Sequence, residues 1–189
     1  TQGLAGEDPV YRRTIPTLKH FCANNNEKNR GSSSSNITPR TLHEYYYRAF
    51  EASIVRGGAD SMMTAYNELA GVPACMNPDL QHVVKDQWKL GFVVTDGADF
   101  SQNVLAHRSH ATHGEALAAC LKSGCDIMTD GEEMVAAAAR DALKRGLITE
   151  AEIDRAVGNA LLGRFRLGEF DGDACPYCTE PAETDTPVH

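Results

Sequence analysis

The fold of this chain is decided by the stretch Gly91-Phe92-Val93-Val94-Thr95-Asp96-Gly97-Ala98-Asp99-Phe100. An apolar run, Phe92–Val94, stops abruptly at a hydroxyl, a carboxylate and a glycine. A run without alternation is typical of a strand that is buried on both faces of a parallel sheet. In α/β folds with a parallel sheet, the reactive groups follow the carboxyl ends of the strands. Asp96 is therefore the candidate reactive carboxylate.

Four predicted strands, each followed by a loop and a helix, repeat along the chain. The strands cover residues 15–21, 61–66, 92–94 and 125–128. Such alternation favours a parallel sheet with right-handed crossovers. The sequence thus predicts an α/β fold, namely a partial (β/α)8 TIM barrel of about four β/α units, since a whole barrel takes ~250 residues. A flavodoxin-like open sheet is the alternative, although no Gly-rich phosphate loop follows any predicted strand.

The first long helix is predicted to begin at Thr38 and to end at Gly57. Thr38 is a good N-cap and Pro39 suits the first helical position. Apolar side chains at helical spacing predict its buried face. That face comprises Leu42, Tyr45, Tyr46, Ala49, Phe50, Ser53 and Ile54.

The bulk composition is that of an ordinary globular chain. The 189 residues, 42% hydrophobic and 23% charged, fit one domain. A net charge of −8 without a basic stripe argues against nucleic acid or an anionic membrane as a partner. The apolar runs are too short to span a bilayer, and Thr1 does not begin a signal peptide.

Most of the six cysteines fall within apolar or helical segments. This favours reduced, buried thiols and a cytoplasmic location, with secretion left open. The pair in Cys175-Pro176-Tyr177-Cys178 matches a redox dithiol pattern, but it follows the last helix and enters an acidic, Pro-rich tail. No second pair of ligands at zinc spacing accompanies it. The sequence therefore favours the interpretation that Cys175 and Cys178 have no redox or zinc-binding role.

Polar side chains at the predicted strand ends converge on one rim of the sheet. They are Lys19, His20, Tyr66, Asn67, Asp96, Asp130 and, from the first long loop, Arg30. Cations, hydroxyls and amides around one carboxylate suit a polyhydroxylated ligand. A carboxylate in fixed geometry can attack a sugar anomeric carbon. The alternative is that Asp96 only caps the next turn, a common role for Thr-Asp-Gly.

Three motifs in the same order resemble glycoside hydrolase family 3, the family of many β-glucosidases and β-xylosidases. They are Lys19-His20-Phe21, the run from Ala65-Tyr66-Asn67 to Gly71-Val72-Pro73-Ala74-Cys75, and Gly91-Phe92-Val93-Val94-Thr95-Asp96. Gly168-Glu169-Phe170-Asp171 is also similar to the exit from that family's barrel domain. The resemblance implies that residues 1–171 form the C-terminal half of the barrel, and that residues 172–189 form a tail or linker towards a second domain.

The resemblance implies a retaining β-glycosidase, most plausibly a β-glucosidase, with Asp96 as nucleophile. Lys19 and His20 match a pair that binds sugar hydroxyls, Arg30 resembles a further sugar-binding arginine, and Tyr66 matches a tyrosine beside the nucleophile. The implied partners are a β-linked glycoside or oligosaccharide, an N-terminal half-barrel and a C-terminal domain of the same polypeptide. No cofactor or metal is implied.

Several features depart from the family pattern. The family's glutamate acid/base lies in a second domain after the barrel, which this chain does not include. Gly97 stands where many members place a tryptophan. The resemblance therefore does not define the leaving-group subsite or the aglycone preference. β-Xylosidase specificity and a non-catalytic sugar-binding or interaction module are therefore alternatives.

Other candidate residues near Asp96 are given structural interpretations. Asp99 lies past the strand end and is interpreted as a turn or capping residue. His107, His110 and His113 are spaced by three, which is possible for a metal site but more common for polar loop or helix-face histidines.

Overall fold

The computed structural model describes residues 1–178 as an assembly of short strands and longer helices. The strands are β1 (Thr17–Phe21), β2 (Ser34–Ser35), β3 (Ser61–Thr64), β4 (Glu68–Leu69), β5 (Val72–Pro73) and β6 (Phe92–Val94). The helical segments are α1 (Gln2–Ala5), α2 (residues 39–56), α3 (Leu80–Lys85), α4 (Asp99–Leu105), α5 (His113–Lys122), α6 (Glu132–Lys144) and α7 (Glu150–Arg166), with 3₁₀ turns at Ala74–Met76 and Gly172–Ala174. Within residues 1–178, no helix combines the length and apolar character needed to cross a membrane.

A parallel sheet in the order β1-β3-β6 forms the centre of the molecule. Thr17 pairs with Ser61, and Ser61 pairs in turn with Phe92, so the three strands end at the same edge. The register between β1 and β3 shifts between Leu18 and Phe21, next to the residues that β1 delivers to that edge. A second, small sheet in the order β2-β4-β5 lies beyond it.

The predicted fourth strand, residues 125–128, is reduced to a single parallel bridge between Val94 and Ile127. The N–H groups of Asp126 and Ile127 both donate to the Val93 carbonyl, at 2.9 and 3.1 Å. The Thr95 N–H donates to the Ile127 carbonyl at 2.9 Å. The α/β class with a parallel sheet is confirmed, whereas four complete β/α units are not.

Helix α2 begins as predicted and buries part of the predicted face: Ile54 is in the core, and Leu42 and Phe50 pack against it. The Thr38 side chain accepts a hydrogen bond from the Thr41 N–H, and Pro39 is the first helical residue. Two π-helical turns, Leu42–Tyr46 and Ala52–Arg56, interrupt the α-helical hydrogen bonding. A π turn contains an extra residue, which rotates the following side chains. Tyr47 is therefore the buried tyrosine, stacked on Phe21 at 5.0 Å, and the prediction that Tyr45 is buried is wrong, since it is 72% exposed.

The chain after α7 turns back onto the N-terminal residues. The Tyr177 hydroxyl accepts hydrogen bonds from the Glu7 and Asp8 N–H groups, both at 3.1 Å, and Cys175 is buried. Residues 172–178 of the predicted tail are thus packed against the body of the molecule. The remainder of that tail, residues 179–189, lies outside the described residues.

A buried ion pair joins β6, α3 and α7 below the sheet. Both Asp126 carboxylate oxygens lie within 2.7 Å of the Lys85 ammonium, and the Asp126 side chain is fully buried. Asp126 also accepts from the Val93 N–H at 2.8 Å and from Asn159 Nδ2 at 3.0 Å. Asp126 is the charge partner of the Lys85 ammonium, which is itself largely buried. Removal of the carboxylate therefore leaves a buried cation without its partner.

We predict that Asp126→Ala lowers the free energy of unfolding by about 3–5 kcal/mol, the cost of breaking one side of a buried ion pair. Urea denaturation followed by circular dichroism measures this change. Glu44→Ala is the matched control, because Glu44 pairs with Arg40 on the exposed surface of α2 and exposed pairs contribute at most about 1 kcal/mol. Equal effects of the two variants would contradict the prediction.

Candidate functional site

The end of β6 is locked in place by a pair of threonines. Thr95 is fully buried, its Oγ1 accepts from the Thr129 N–H at 2.9 Å, and its carbonyl accepts from Thr129 Oγ1 at 2.7 Å. These bonds join β6 to the segment that follows the Ile127 bridge. Since backbone and side chain are both bonded, the next residue, Asp96, leaves the sheet in a defined direction.

Asp96 projects at the carboxyl edge of the sheet with its two oxygens in different surroundings. Oδ1 accepts from the Gly97 N–H at 2.7 Å, and Oδ2 lies 3.1 Å from His20 Nε2. The side chains of Asp96 and His20 are 23% and 27% exposed. The carboxylate is thus hydrogen-bonded through one oxygen, faces an imidazole with the other, and stays partly exposed.

Strand β1 delivers Lys19 and His20 to this edge. His20 faces Asp96, whereas Lys19 is exposed. Within residues 1–178, no hydrogen bond or ion pair engages the Lys19 ammonium. Both side chains border a cavity of about 680 Å³ that is also lined by Asn24, Asn25 and Glu27. The cavity thus brings together a cation, an imidazole and two amides, a set that suits hydroxyl groups, and His20 connects it to Asp96.

Tyr66 and Arg30 meet on the other side of Asp96. The Tyr66 hydroxyl donates to the Gly97 carbonyl at 2.6 Å, and the Arg30 guanidinium lies 4.6 Å from the centre of the Tyr66 ring. Burial raises the pKa of Tyr66, and the negative charge of Asp96 raises it further, while Arg30 opposes the shift. Tyr66 therefore stays a protonated donor beside the carboxylate.

A histidine with a buried side chain, His107, contacts the backbone of Tyr66. His107 Nε2 lies 2.7 Å from the Tyr66 carbonyl, and Nδ1 lies 3.3 Å from Glu68 Oε1. The His107 side chain is almost completely buried. The sequence indicates only a polar loop or helix-face histidine at position 107, because no local pattern relates this position to Tyr66. Its contacts make it a residue that positions the Tyr66 backbone.

Asp99 has a different environment from the one expected. Its N–H closes a turn on the Asp96 carbonyl at 3.1 Å, but its carboxylate is buried and accepts from Thr64 Oγ1 at 2.6 Å. Asp99 thus takes part in a turn, as the sequence indicates, but it is the first residue of α4 and Ala98 occupies the N-cap. Burial raises the pKa of Asp99 to about 7, with Asp96 and Asp130 adding to the shift and Thr64 opposing it.

Two other strand-end residues lie in supporting positions. Asn67 is buried, and its Nδ2 donates to the Cys22 carbonyl and to Ser35 Oγ, both at 3.2 Å. Asp130 Oδ1 accepts from the Ser101 N–H at 3.1 Å. The structure thus brings His20, Arg30, Tyr66 and Asp96 together, with Lys19 at the border of the same hollow. Asn67 and Asp130 hold the loops around them.

Comparison of the chain with known proteins identifies its family. The model of the glycosyl hydrolase family 3 N terminal domain matches residues 1–161 of the chain. The chain belongs to glycosyl hydrolase family 3. The family resemblance carried by the three sequence motifs is therefore confirmed.

The curated relatives in this family include β-xylosidases. Beta-D-xylosidase 1 of Arabidopsis thaliana is 33% identical over 198 residues, an alignment that covers 100% of this chain and 25% of the relative. A β-xylosidase of Formosa agariphila is 28% identical over 197 residues, with 27% of its length covered. The chain thus spans about a quarter of the length of the curated relatives it matches.

Solved glycosidase structures resemble this fold closely. An exo-β-xylosidase, solved in complex with a xylobiose aziridine activity-based probe, superposes with a TM-score of 0.86 at 27% identity, covering 93% of this chain and 24% of that one. A β-glucosidase from Erythrobacter marinus gives a TM-score of 0.76 at 26% identity, covering 89% and 23%.

The environment of Asp99 predicts a pH dependence of stability. An acid whose pKa is raised by folding binds its proton more tightly in the native state. Stability is therefore lost as pH rises from about 4, where the unfolded carboxyl ionises, to about 7, where the folded one does. We predict that Asp99→Asn gains up to about 4 kcal/mol relative to the unsubstituted chain between pH 4 and pH 8.

Urea denaturation at each pH measures this gain. Asp154→Asn, at an exposed position on α7, is the control and should leave the pH dependence unchanged. Parallel stability profiles for Asp99→Asn and the unsubstituted chain would contradict the assigned environment.

Proposed function

We propose that this chain carries the nucleophile and part of the sugar site of a retaining β-glycosidase. The observation that supports this most is the partly exposed Asp96 carboxylate, held through Oδ1 by the Gly97 N–H and facing His20 with Oδ2. Asp96 would attack the anomeric carbon of a β-glycoside and form a glycosyl ester. Water would then hydrolyse that ester, so the anomeric configuration is retained overall.

The residues around Asp96 have proposed roles in binding the sugar. Lys19 and His20 would hydrogen-bond hydroxyls of the glycosyl unit, and these bonds would strengthen as positive charge develops at the anomeric carbon. Arg30, whose guanidinium lies over the Tyr66 ring, would bind a further hydroxyl. Tyr66 would stay protonated and hold the Gly97 carbonyl, which keeps the loop after Asp96 in position.

We further propose that the general acid/base belongs to another part of a longer polypeptide. A retaining pair needs its carboxyl groups only about 5–5.5 Å apart. Asp99 cannot fill this role because it is buried beneath the sheet edge. Glu27, Glu132 and Glu133 have no proposed catalytic role either. The chain would supply part of a (β/α)8 barrel whose other strands complete the site.

The substrate class is proposed to be β-xylosides, with β-glucosides as the second candidate. The sequence favours a β-glucosidase, whereas the relatives cited above are β-xylosidases and the exo-β-xylosidase structure superposes more closely than the β-glucosidase. A pentose lacks the exocyclic hydroxymethyl group of glucose. The ratio of kcat/KM for the two aryl glycosides decides between them, because one extra methylene-sized group changes kcat/KM by roughly 10–200-fold in a fitted pocket.

A non-catalytic sugar-binding role is the alternative for the 189-residue chain by itself. It is supported by the open cavity beside Lys19 and His20 and by the lack of an assigned acid. Calorimetry with xylose and glucose would detect such binding. Turnover of an aryl β-glycoside by this chain alone would exclude a purely binding role.

We predict that a 2-fluoro aryl xyloside or glucoside labels the full-length polypeptide on Asp96, because the fluorine slows hydrolysis of the glycosyl ester. Peptide mapping by mass spectrometry locates the label. A label on any other carboxylate would refute the assignment.

We also predict that Asp96→Ala lowers kcat by roughly 10⁴-fold or more, as for the loss of other catalytic nucleophiles. Added azide should restore part of the turnover by attacking the anomeric carbon from the emptied position. Asp154→Ala, on the exposed face of α7, serves as the control with unchanged kcat.

A further inference from the structure

The four residues Cys175–Cys178 form a hydrogen-bonded turn. The Cys178 N–H donates to the Cys175 carbonyl at 3.2 Å, and Pro176 occupies the second position, which it favours in β-turns. In such a turn the first and last Cα atoms lie within about 7 Å of each other. Disulfides join residues whose Cα atoms are roughly 4.4–6.8 Å apart. The backbone therefore already holds the two cysteines at a separation that suits a disulfide.

The two thiols converge on one peptide group at the end of α7. Cys175 Sγ lies 3.7 Å from the Leu167 carbonyl, and Cys178 Sγ lies 3.9 Å from the same oxygen and 3.8 Å from the Gly168 carbonyl. Both are free thiols. The neighbouring Cys175 thiol raises the pKa of Cys178 to about 11, so the reactive Cys178 thiolate is a minor species near neutral pH.

Gly168 makes this convergence possible. Its φ is +74°, and a Cβ at this position would lie 2.5 Å from Cys175 Sγ and 3.3 Å from Cys178 Sγ. Any side chain would therefore displace the thiols. The pair is packed into a space that only glycine leaves open.

The two cysteines differ in their access to solvent. Cys178 is exposed and Cys175 is buried, as are Cys22, Cys75, Cys120 and Cys125. All six lie within residues 1–178. An external reagent can thus reach the Cys178 thiol first, and the buried Cys175 thiol lies next to it.

We propose that Cys175 and Cys178 form a reversible disulfide by exchange with a low-molecular-weight disulfide. The Cys178 thiolate attacks one sulfur of the reagent, and the other sulfur leaves as a thiolate. The Cys175 thiolate then attacks Cys178 Sγ and releases the second reagent thiolate. Two protein thiols are oxidised, one external disulfide is reduced, and the two S–H protons end on the released thiols.

The disulfide would stabilise a contact between the two ends of the described chain. Tyr177, inside the turn, holds the Glu7 and Asp8 N–H groups with its hydroxyl, and the Arg13 guanidinium lies 5.1 Å from its ring centre. A covalent link across the turn restricts its opening. The oxidised chain should therefore show slower amide exchange at Glu7 and Asp8. This proposal is independent of the glycosidase assignment.

The test equilibrates the 189-residue chain with mixtures of reduced and oxidised glutathione, quenches with iodoacetamide and maps peptides by mass spectrometry. We expect the peptide containing both cysteines to lose the mass of two hydrogen atoms and both alkylation sites at oxidising ratios, and to regain them on reduction. Cys22, Cys75, Cys120 and Cys125, which are buried elsewhere in the chain, should remain thiols. A Cys175–Cys178 peptide that stays fully alkylated, or that stops at a Cys178–glutathione adduct, would overturn the proposal.

Two variants separate the proposed pathway from nonspecific oxidation. Cys175→Ser should trap the Cys178–glutathione adduct, because the second attack is lost. Gly168→Ala should lower the equilibrium constant for the disulfide by roughly tenfold or more, since displaced sulfurs strain the bond. Gly146→Ala is the matched control, as Gly146 also has a positive φ of +66° but no atom within 4 Å of its Cβ position. Equal oxidation of the Gly168→Ala and Gly146→Ala chains would contradict the role of Gly168.

Discussion

The hydrogen bonding of the buried strand Phe92–Val94 on both of its sides is the constraint on which the rest of this structure depends. Ser61–Thr64 pairs with it on one side, and Ile127 bridges it on the other. Because the strands are parallel, their carboxyl ends meet at one edge, where β1 delivers His20 and β6 delivers Asp96. The Thr95–Thr129 bonds extend this order by one residue beyond the strand. The site is therefore a consequence of sheet register.

Two carboxyl groups three residues apart have opposite environments in this site. Asp96 is partly exposed and faces an imidazole, whereas Asp99 is buried against Thr64. Burial raises the pKa of Asp99 to about 7, so below that pH it places no negative charge beside Asp96. Separation of two carboxyl groups by their surroundings is a common way to give them different chemical roles. Here one is accessible for chemistry and the other is a structural, uncharged neighbour.

Much of the fold and the site could be predicted from the sequence, because buried strands and helix caps leave local signals. The run Phe92–Val94 and the Thr38-Pro39 helix start are two examples. The burial of Tyr47 in place of Tyr45 on α2 could not be predicted, since π turns shift the side chains without a local signature. The supporting role of His107 depends on a contact 41 residues away in the chain, which no local spacing reveals. The same holds for the buried carboxylate of Asp99, whose partner Thr64 lies on another strand.

The most direct measurement of the central claim is a crystal structure of the full-length polypeptide with a bound monosaccharide. We predict that the anomeric carbon lies roughly 3–3.5 Å from an Asp96 carboxylate oxygen, and that Lys19, His20 and Arg30 hydrogen-bond the ring hydroxyls. A sugar bound at another edge of the sheet, or an Asp96 carboxylate turned away from the anomeric carbon, would contradict it.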